Sequence, residues 1–137
     1  MGTGGRGSSL ARSFAELEGA DVTRVCDVDR ERRMASRKEV GTIQDEAPEA
    51  ARDVRRVLER NDLDALVVAA PDHWHVPAAL LALSAGKHVY LEKPCSHSPR
   101  EGELLVEAAK THRRIVQIGT QRRSWPNLRE AVRRLRT

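Results

Sequence analysis

Gly2, Gly4 and Gly7 stand in the spacing G-x-G-x-x-G, and Gly5 adds a further glycine to the same loop. Glycines so placed allow a tight turn, let backbone touch a pyrophosphate, and let the following helix pack closely while its free N–H groups face the anion. A loose, glycine-rich chain start has the same pattern, so the loop alone decides nothing. Asp27 separates the readings. It lies about 20 residues beyond Gly7, at the end of the next apolar segment, where a carboxylate accepts hydrogen bonds from the hydroxyls of an adenosine ribose. Its charge would repel a 2′-phosphate and so favours NAD, while Arg30, Arg32 and Arg33 close behind leave NADP open.

Two further groups leave the ends of apolar segments. Pro71-Asp72-His73-Trp74-His75 follows Ala65-Leu66-Val67-Val68-Ala69-Ala70. Pro71 turns the chain over the place where the nicotinamide end of a dinucleotide would lie, with Trp74 and His75 beside it. Trp74 alternatively packs on the following helix. His73 and His75 are two imidazoles without a third ligand nearby, a poor metal site, so no metal is expected. Glu92-Lys93-Pro94 follows His88 to Leu91. Oxidising an alcohol by hydride transfer requires a group to take the hydroxyl proton, and a lysine serves where burial and a neighbouring nicotinamide cation favour the neutral amine. Lys93 is the candidate for that role. Read blandly, the triplet is a charged turn before a proline; the convergence of three such loops on one edge favours the chemical reading.

The elements that must bring these loops together alternate between helix and strand periods, as in a parallel sheet covered by helices. Helices are expected over Gly7 to Glu18, Glu31 to Glu39, Pro48 to Arg60, Val76 to Ala85 and Pro99 to Thr111, with a last one capped by Asn127. Strands are expected over Asp21 to Val28, weakly around Thr42 and Ile43, over Ala65 to Ala70, His88 to Leu91 and Ile115 to Ile118. The continuously apolar Ala65–Ala70 run predicts a central strand buried on both faces.

The chain has 137 residues, enough for one core, with 39% hydrophobic and 32% charged residues. No apolar run approaches a membrane span and no secretory leader precedes the loop, so the chain as given reads as cytoplasmic. The net charge of +4 raises nucleic-acid binding as an alternative, but the basic residues alternate with acids on helix faces and only 3% of residues are aromatic, too few for stacking platforms. Cys26 and Cys95 fit no metal spacing and read as reduced thiols.

Taken together, Gly2 to Gly7, Cys26-Asp27-Val28-Asp29, Pro71 to His75, Ala85-Gly86-Lys87-His88-Val89, Glu92-Lys93-Pro94 and Gly119-Thr120-Gln121-Arg122-Arg123-Ser124 resemble the glucose-fructose oxidoreductase, inositol dehydrogenase and MocA family. The resemblance covers nearly the whole chain. It implies an α/β fold, a doubly wound parallel Rossmann-type sheet flanked by helices, and NAD(P)-dependent oxidation of a sugar or polyol. It further implies that Lys93 acts on substrate, that Glu92 and Pro94 shape the cofactor pocket, and that Gln121 lies on the nicotinamide side. Pro94-Cys95-Ser96-His97 with Arg100-Glu101-Gly102 resembles a bacterial subgroup often exported with cofactor already bound, which leaves an exported parent open. It is also similar to the family's NAD-dependent glycosidases.

Two departures qualify the resemblance. Family members place a hydrophobic first strand before the glycine loop, where this sequence begins at Met1; the expected sheet therefore lacks its first strand. Family members also continue into a substrate-binding domain, which is not expected within these residues: 1–124 read as the dinucleotide-binding domain and 125–137 as a helix leading toward that absent domain, through which the parent would form a homo-oligomer. The expectation is thus a fragment with weak or absent catalysis of its own, or a non-catalytic dinucleotide-binding module.

Overall fold

A computed structural model describes residues 1–136. Five strands and six helices alternate along these residues: α1 (Gly5–Ala15), β1 (Arg24–Cys26), α2 (Arg30–Val40), β2 (Glu49–Ala51), α3 (Val54–Leu58), β3 (Ala65–Val68), α4 (His75–Ser84), β4 (His88–Glu92), α5 (Pro99–Thr111), β5 (Val116–Gly119) and α6 (Pro126–Leu135). Every strand pairing is parallel. β1 pairs with β2, and β3, β4 and β5 pair in that order. The fold is α/β, with parallel sheets flanked by helices.

The two paired groups are not hydrogen-bonded strand to strand. Met1 and Gly2 bridge them instead: the Gly2 N–H donates to the Cys26 carbonyl just inside β1 (2.9 Å), and the Met1 carbonyl accepts from the Ala69 N–H beyond β3 (2.9 Å). The Met1 ammonium donates to the Val67 carbonyl at 2.6 Å. Below this bridge lies a cavity of about 650 Å³, lined on one side by residues of β1 such as Val25 and on the other by Leu66 and Val67 of β3. Among the described residues no strand lies between β1 and β3, and this cavity separates the two sheets.

The core is built on β3 and β4. Leu66, Val68, Val89 and Leu91 meet Val76, Ala79 and Leu83 of α4, all buried. Ala78, Ala79 and Ala82 have no exposed surface, and their short side chains let α4 approach the sheet closely. Asp29, Asp53 and Ser98 cap α2, α3 and α5 by accepting from Arg32, Arg55 and Glu101 N–H groups.

Several boundaries differ from the sequence reading: β1 shortens from Asp21–Val28 to Arg24–Cys26, β3 ends at Val68 rather than Ala70, and others shift further. Thr42 and Ile43 form no strand; their N–H groups donate to the Glu39 and Val40 carbonyls and extend the end of α2 as turns. The strand falls instead at Glu49–Ala51, immediately after Pro48, where pairing of Ala50 and Ala51 with Val25 and Cys26 outweighs the helical preference of alanine. The helix expected from Pro48 shrinks to Val54–Leu58 because Asp53 provides the cap. α1 begins at Gly5 and ends at Ala15, and α6 is opened by Trp125 and Pro126 with no side-chain cap from Asn127.

Candidate functional site

The carboxyl ends of the parallel strands all face one edge. Asp27 follows β1, Pro71 follows β3, Glu92 ends β4, and Thr120 and Gln121 follow β5; Glu92 lies directly across from Gly119 in register. In open parallel sheets this edge is where ligands bind.

The glycines of the loop divide into two kinds. A Cβ on Gly2 would press into the backbone of Ala69 and Ala70 at 2.6–2.8 Å, and the residue has φ +79°, so both space and backbone conformation require glycine. A Cβ on Gly7 would fall on the Gly2 carbonyl. By contrast, a Cβ on Gly5 would meet nothing within 4 Å, and on Gly4 only the Arg32 guanidinium at 3.8 Å. Gly2 and Gly7 thus lock α1 onto the sheet, and Gly4 and Gly5 leave backbone bare on the open side. α1 begins there with no side-chain cap and no acid in its first turn, so its leading N–H groups and the positive end of its dipole are available to an anion. These are the features a pyrophosphate needs.

Asp27 is fastened to this loop. One carboxylate oxygen accepts from the Thr3 N–H at 2.7 Å and the Thr3 hydroxyl at 3.1 Å, and the other from the Asp29 N–H at 3.0 Å. Burial works against its charge, but the Asp29 and Thr3 hydrogen bonds, helped by Arg32, outweigh burial and hold the carboxyl below its ordinary value. Asp27 is therefore an ionised, oriented acceptor beside the loop.

Arg6 and Thr3 occupy variable positions of the glycine motif, and sequence reasoning passed over both. The Arg6 Nε donates to Glu92 Oε1 at 2.7 Å, tying the first turn of α1 to the end of β4. Glu92 is nearly enclosed, with its side chain 5% exposed against 38% for Arg6. Its second oxygen accepts from the Lys93 N–H. No local spacing announces a pair 86 residues apart. Arg6→Ala would leave the Glu92 carboxylate buried without a cation. We expect about 2–3 kcal/mol of lost stability in urea denaturation, less than for a fully buried pair because Arg6 keeps part of its hydration. Arg6→Ala combined with Glu92→Gln should recover most of the loss.

His75 is 1% exposed, with Nδ1 2.6 Å from the Pro94 carbonyl and Nε2 2.8 Å from the Ala70 carbonyl. It joins the ends of β3 and β4 from below and offers no free ring nitrogen to the open edge. Trp74 remains 46% exposed beside Pro71. Lys93 is exposed on this edge. With Thr120, Gln121, Arg122 and Arg123 it lines a second cavity of about 440 Å³ beyond β4 and β5. Among the described residues, no group of three or more His, Cys, Asp or Glu side chains is placed to hold a metal ion, and no helix is long and apolar enough to cross a membrane.

A parallel sheet with a bare-backbone glycine turn entering a helix, a fixed acid beside it, and further loops on the same edge defines a dinucleotide-binding domain. The family model described as oxidoreductase family, NAD-binding Rossmann fold, matches residues 1–120, and the chain belongs to this Gfo/Idh/MocA family. It is 37% identical over 125 residues to an inositol 2-dehydrogenase/D-chiro-inositol 3-dehydrogenase of Shouchella clausii, covering 90% of this chain and 35% of that protein. It is 35% identical over 126 residues to a glycosyl hydrolase family 109 protein of Saccharopolyspora erythraea, covering 86% of this chain and 27% of that one. Among solved structures, scyllo-inositol dehydrogenase of Lactobacillus casei with bound NAD(H) and scyllo-inositol superposes with a TM-score of 0.83 at 26% identity, over 95% of this chain and 37% of that chain. The chain thus spans roughly a quarter to two fifths of the length of these relatives.

Proposed function

We propose that the chain is the cofactor-holding part of an enzyme that moves hydride between nicotinamide and a hydroxyl-bearing carbon of a sugar or polyol. The observation that carries the reading is the arrangement of the glycine turn, Asp27 and Lys93 along one sheet edge. The N–H groups opening α1 at Gly4 and Gly5 would hold the pyrophosphate. Asp27 would accept from the adenosine ribose and, being ionised, disfavour the 2′-phosphate of NADP. Pro71, Trp74, Pro94 and Gln121 would border the nicotinamide end, while His75 and Glu92 would position that border from within.

When bound, the nicotinamide accepts or returns the hydride. Lys93 would take the proton of the substrate hydroxyl as the carbon–hydrogen bond breaks and return it in the reverse direction. α6 would lead from this unit to the part that encloses the substrate and makes the oligomer contact. The inositol dehydrogenases among the relatives support a polyol substrate.

A second reading is favoured by the glycosyl hydrolase family 109 relatives: transient oxidation of a sugar, cleavage of its glycosidic bond, and return of the hydride. The two differ in redox balance, since net NADH accumulates only in the first. In a protein carrying this unit together with its substrate-binding part, Lys93→Met should lower kcat by at least about 1,000-fold, with NAD affinity changed by less than about threefold. Product formation, with NADH absorbance for the dehydrogenase reading, measures turnover, and calorimetric titration measures NAD affinity; turnover unchanged by the substitution would remove Lys93 from the reaction.

A further inference from the structure

We infer that the substrate carries an anionic group, a carboxylate or a phosphate, held by Arg122 and Arg123 in the cavity beside Lys93. This rests on the dinucleotide reading above and goes on to assign the substrate's charge.

The cavity beyond β4 and β5 is lined by Lys93, Thr120, Gln121, Arg122 and Arg123, which bring three cationic side chains and no acid. Arg122 and Arg123 lie in a single helical turn over Gln121–Ser124, fixed by the Arg123 N–H donating to the Thr120 carbonyl and the Trp125 N–H to the Arg122 carbonyl. Among the described residues, neither guanidinium nor the Lys93 ammonium has a side-chain hydrogen-bond or ion-pair partner. Unpaired arginines occur elsewhere among these residues, Arg30 and Arg52 for example, so the informative point is that three cations and no acid line one cavity, whereas many other arginines are tied to acids. Arg12, Arg24, Arg32, Arg55, Arg60, Arg100, Arg133 and Arg134 are each paired with a carboxylate.

The nearest acid does not balance the group. Glu92 lies next to Lys93 in the chain, but its carboxylate is taken by Arg6 at 2.7 Å on the inner side of the edge. Nor does the cofactor supply the missing charge. Its pyrophosphate belongs at the glycine turn, and its nicotinamide end carries no anion. Positive charge gathered beside the reacting position is complementary to a negative charge on the other reactant. A guanidinium pair with a hydroxyl and an amide beside it, here Thr120 and Gln121, matches the bidentate acceptor geometry of carboxylate or phosphate. The lysine would then meet the hydroxyl next to the anionic group.

The test is a titration of the ¹⁵N-labelled chain, without cofactor, with D-glucuronate, D-glucose 6-phosphate and D-glucose, following the backbone amides of Lys93 and residues 120–123. We expect at least one of the two anionic sugars to shift these amides with affinity about tenfold above glucose, the preference shrinking as salt is raised. R122Q/R123Q, both exposed side chains, should abolish the preference. A response to glucuronate alone marks a sugar acid, to the phosphate alone a sugar phosphate, and to both an anion held by charge. Equal response to glucose, a preference that survives R122Q/R123Q, or shifts spread over the paired surface arginines would overturn the inference. NAD titration of the same samples is a separate readout: NAD binding without anion preference sinks this inference alone, and loss of NAD binding sinks the functional reading on which it rests.

Discussion

Gly7→Ala should lower NAD affinity by at least about 100-fold, corresponding to about 3 kcal/mol or more. The added methyl group lands on the Gly2 carbonyl, and Gly2 has no room to retreat, because its own Cα faces the backbone of Ala69 and Ala70 and its N–H is bonded to Cys26. Relief requires α1 to swing off the sheet or the Met1–Gly2 bridge to leave β3, and either movement disperses the N–H groups that would meet the pyrophosphate. Gly5→Ala is the informative partner. With nothing within 4 Å of the new Cβ, the fold should keep its stability or gain a few tenths of a kcal/mol in helix propensity. NAD affinity should nevertheless fall, because the methyl group occupies the space that the phosphate needs. Quenching of NADH fluorescence measures both. A Gly5→Ala chain that binds as tightly as the parent would place the pyrophosphate elsewhere.

The second large effect concerns the slot between β1 and β3. Joining about four or five apolar, β-branched residues ahead of Met1 should raise the stability of the 137-residue chain by on the order of 3–5 kcal/mol, or about 10 °C or more in Tm. The added segment would run parallel to both neighbours, bury side chains against Val25, Leu66 and Val67, and satisfy the facing N–H and C=O groups; burial and hydrogen bonding outweigh the cost of ordering a short segment. The pH dependence should change as well. Burial pushes the Met1 ammonium below its ordinary value of 8.0, overcoming the opposing pull of Cys26 and Asp27. A base whose folded value is depressed binds fewer protons folded than unfolded, so its contribution to stability rises with pH up to about 8 and then levels off. Extension converts the amine to an amide, and that rise should vanish. An extended chain of unchanged Tm, with the same pH slope, would show that the slot does not accept a strand.

Much of this architecture was legible in the residues because it rests on local signals. The apolar Ala65–Val68 run, the glycines of the loop and the Pro-ended segments at Ala70 and Lys93 each announce their element, and parallel pairing follows from the alternation of helix and strand. β2 was misplaced because its strand is set by pairing across to β1 and not by its own propensity. In the site, Asp27 was readable from its distance to the glycines. Arg6 and Thr3 were not, since partners 86 and 24 residues away fix their roles. His75 illustrates the reverse case. Its place in the motif suggested contact with a ligand, whereas burial of both ring nitrogens against carbonyls makes it a tie between two strand ends.

Calorimetric titration of the 137-residue chain with NAD and with NADP tests the central claim most directly. The account predicts saturable binding of one NAD per chain, about tenfold weaker binding of NADP, and loss of that preference in Asp27→Ala. A chain that is folded by far-ultraviolet circular dichroism yet takes up neither dinucleotide would contradict it.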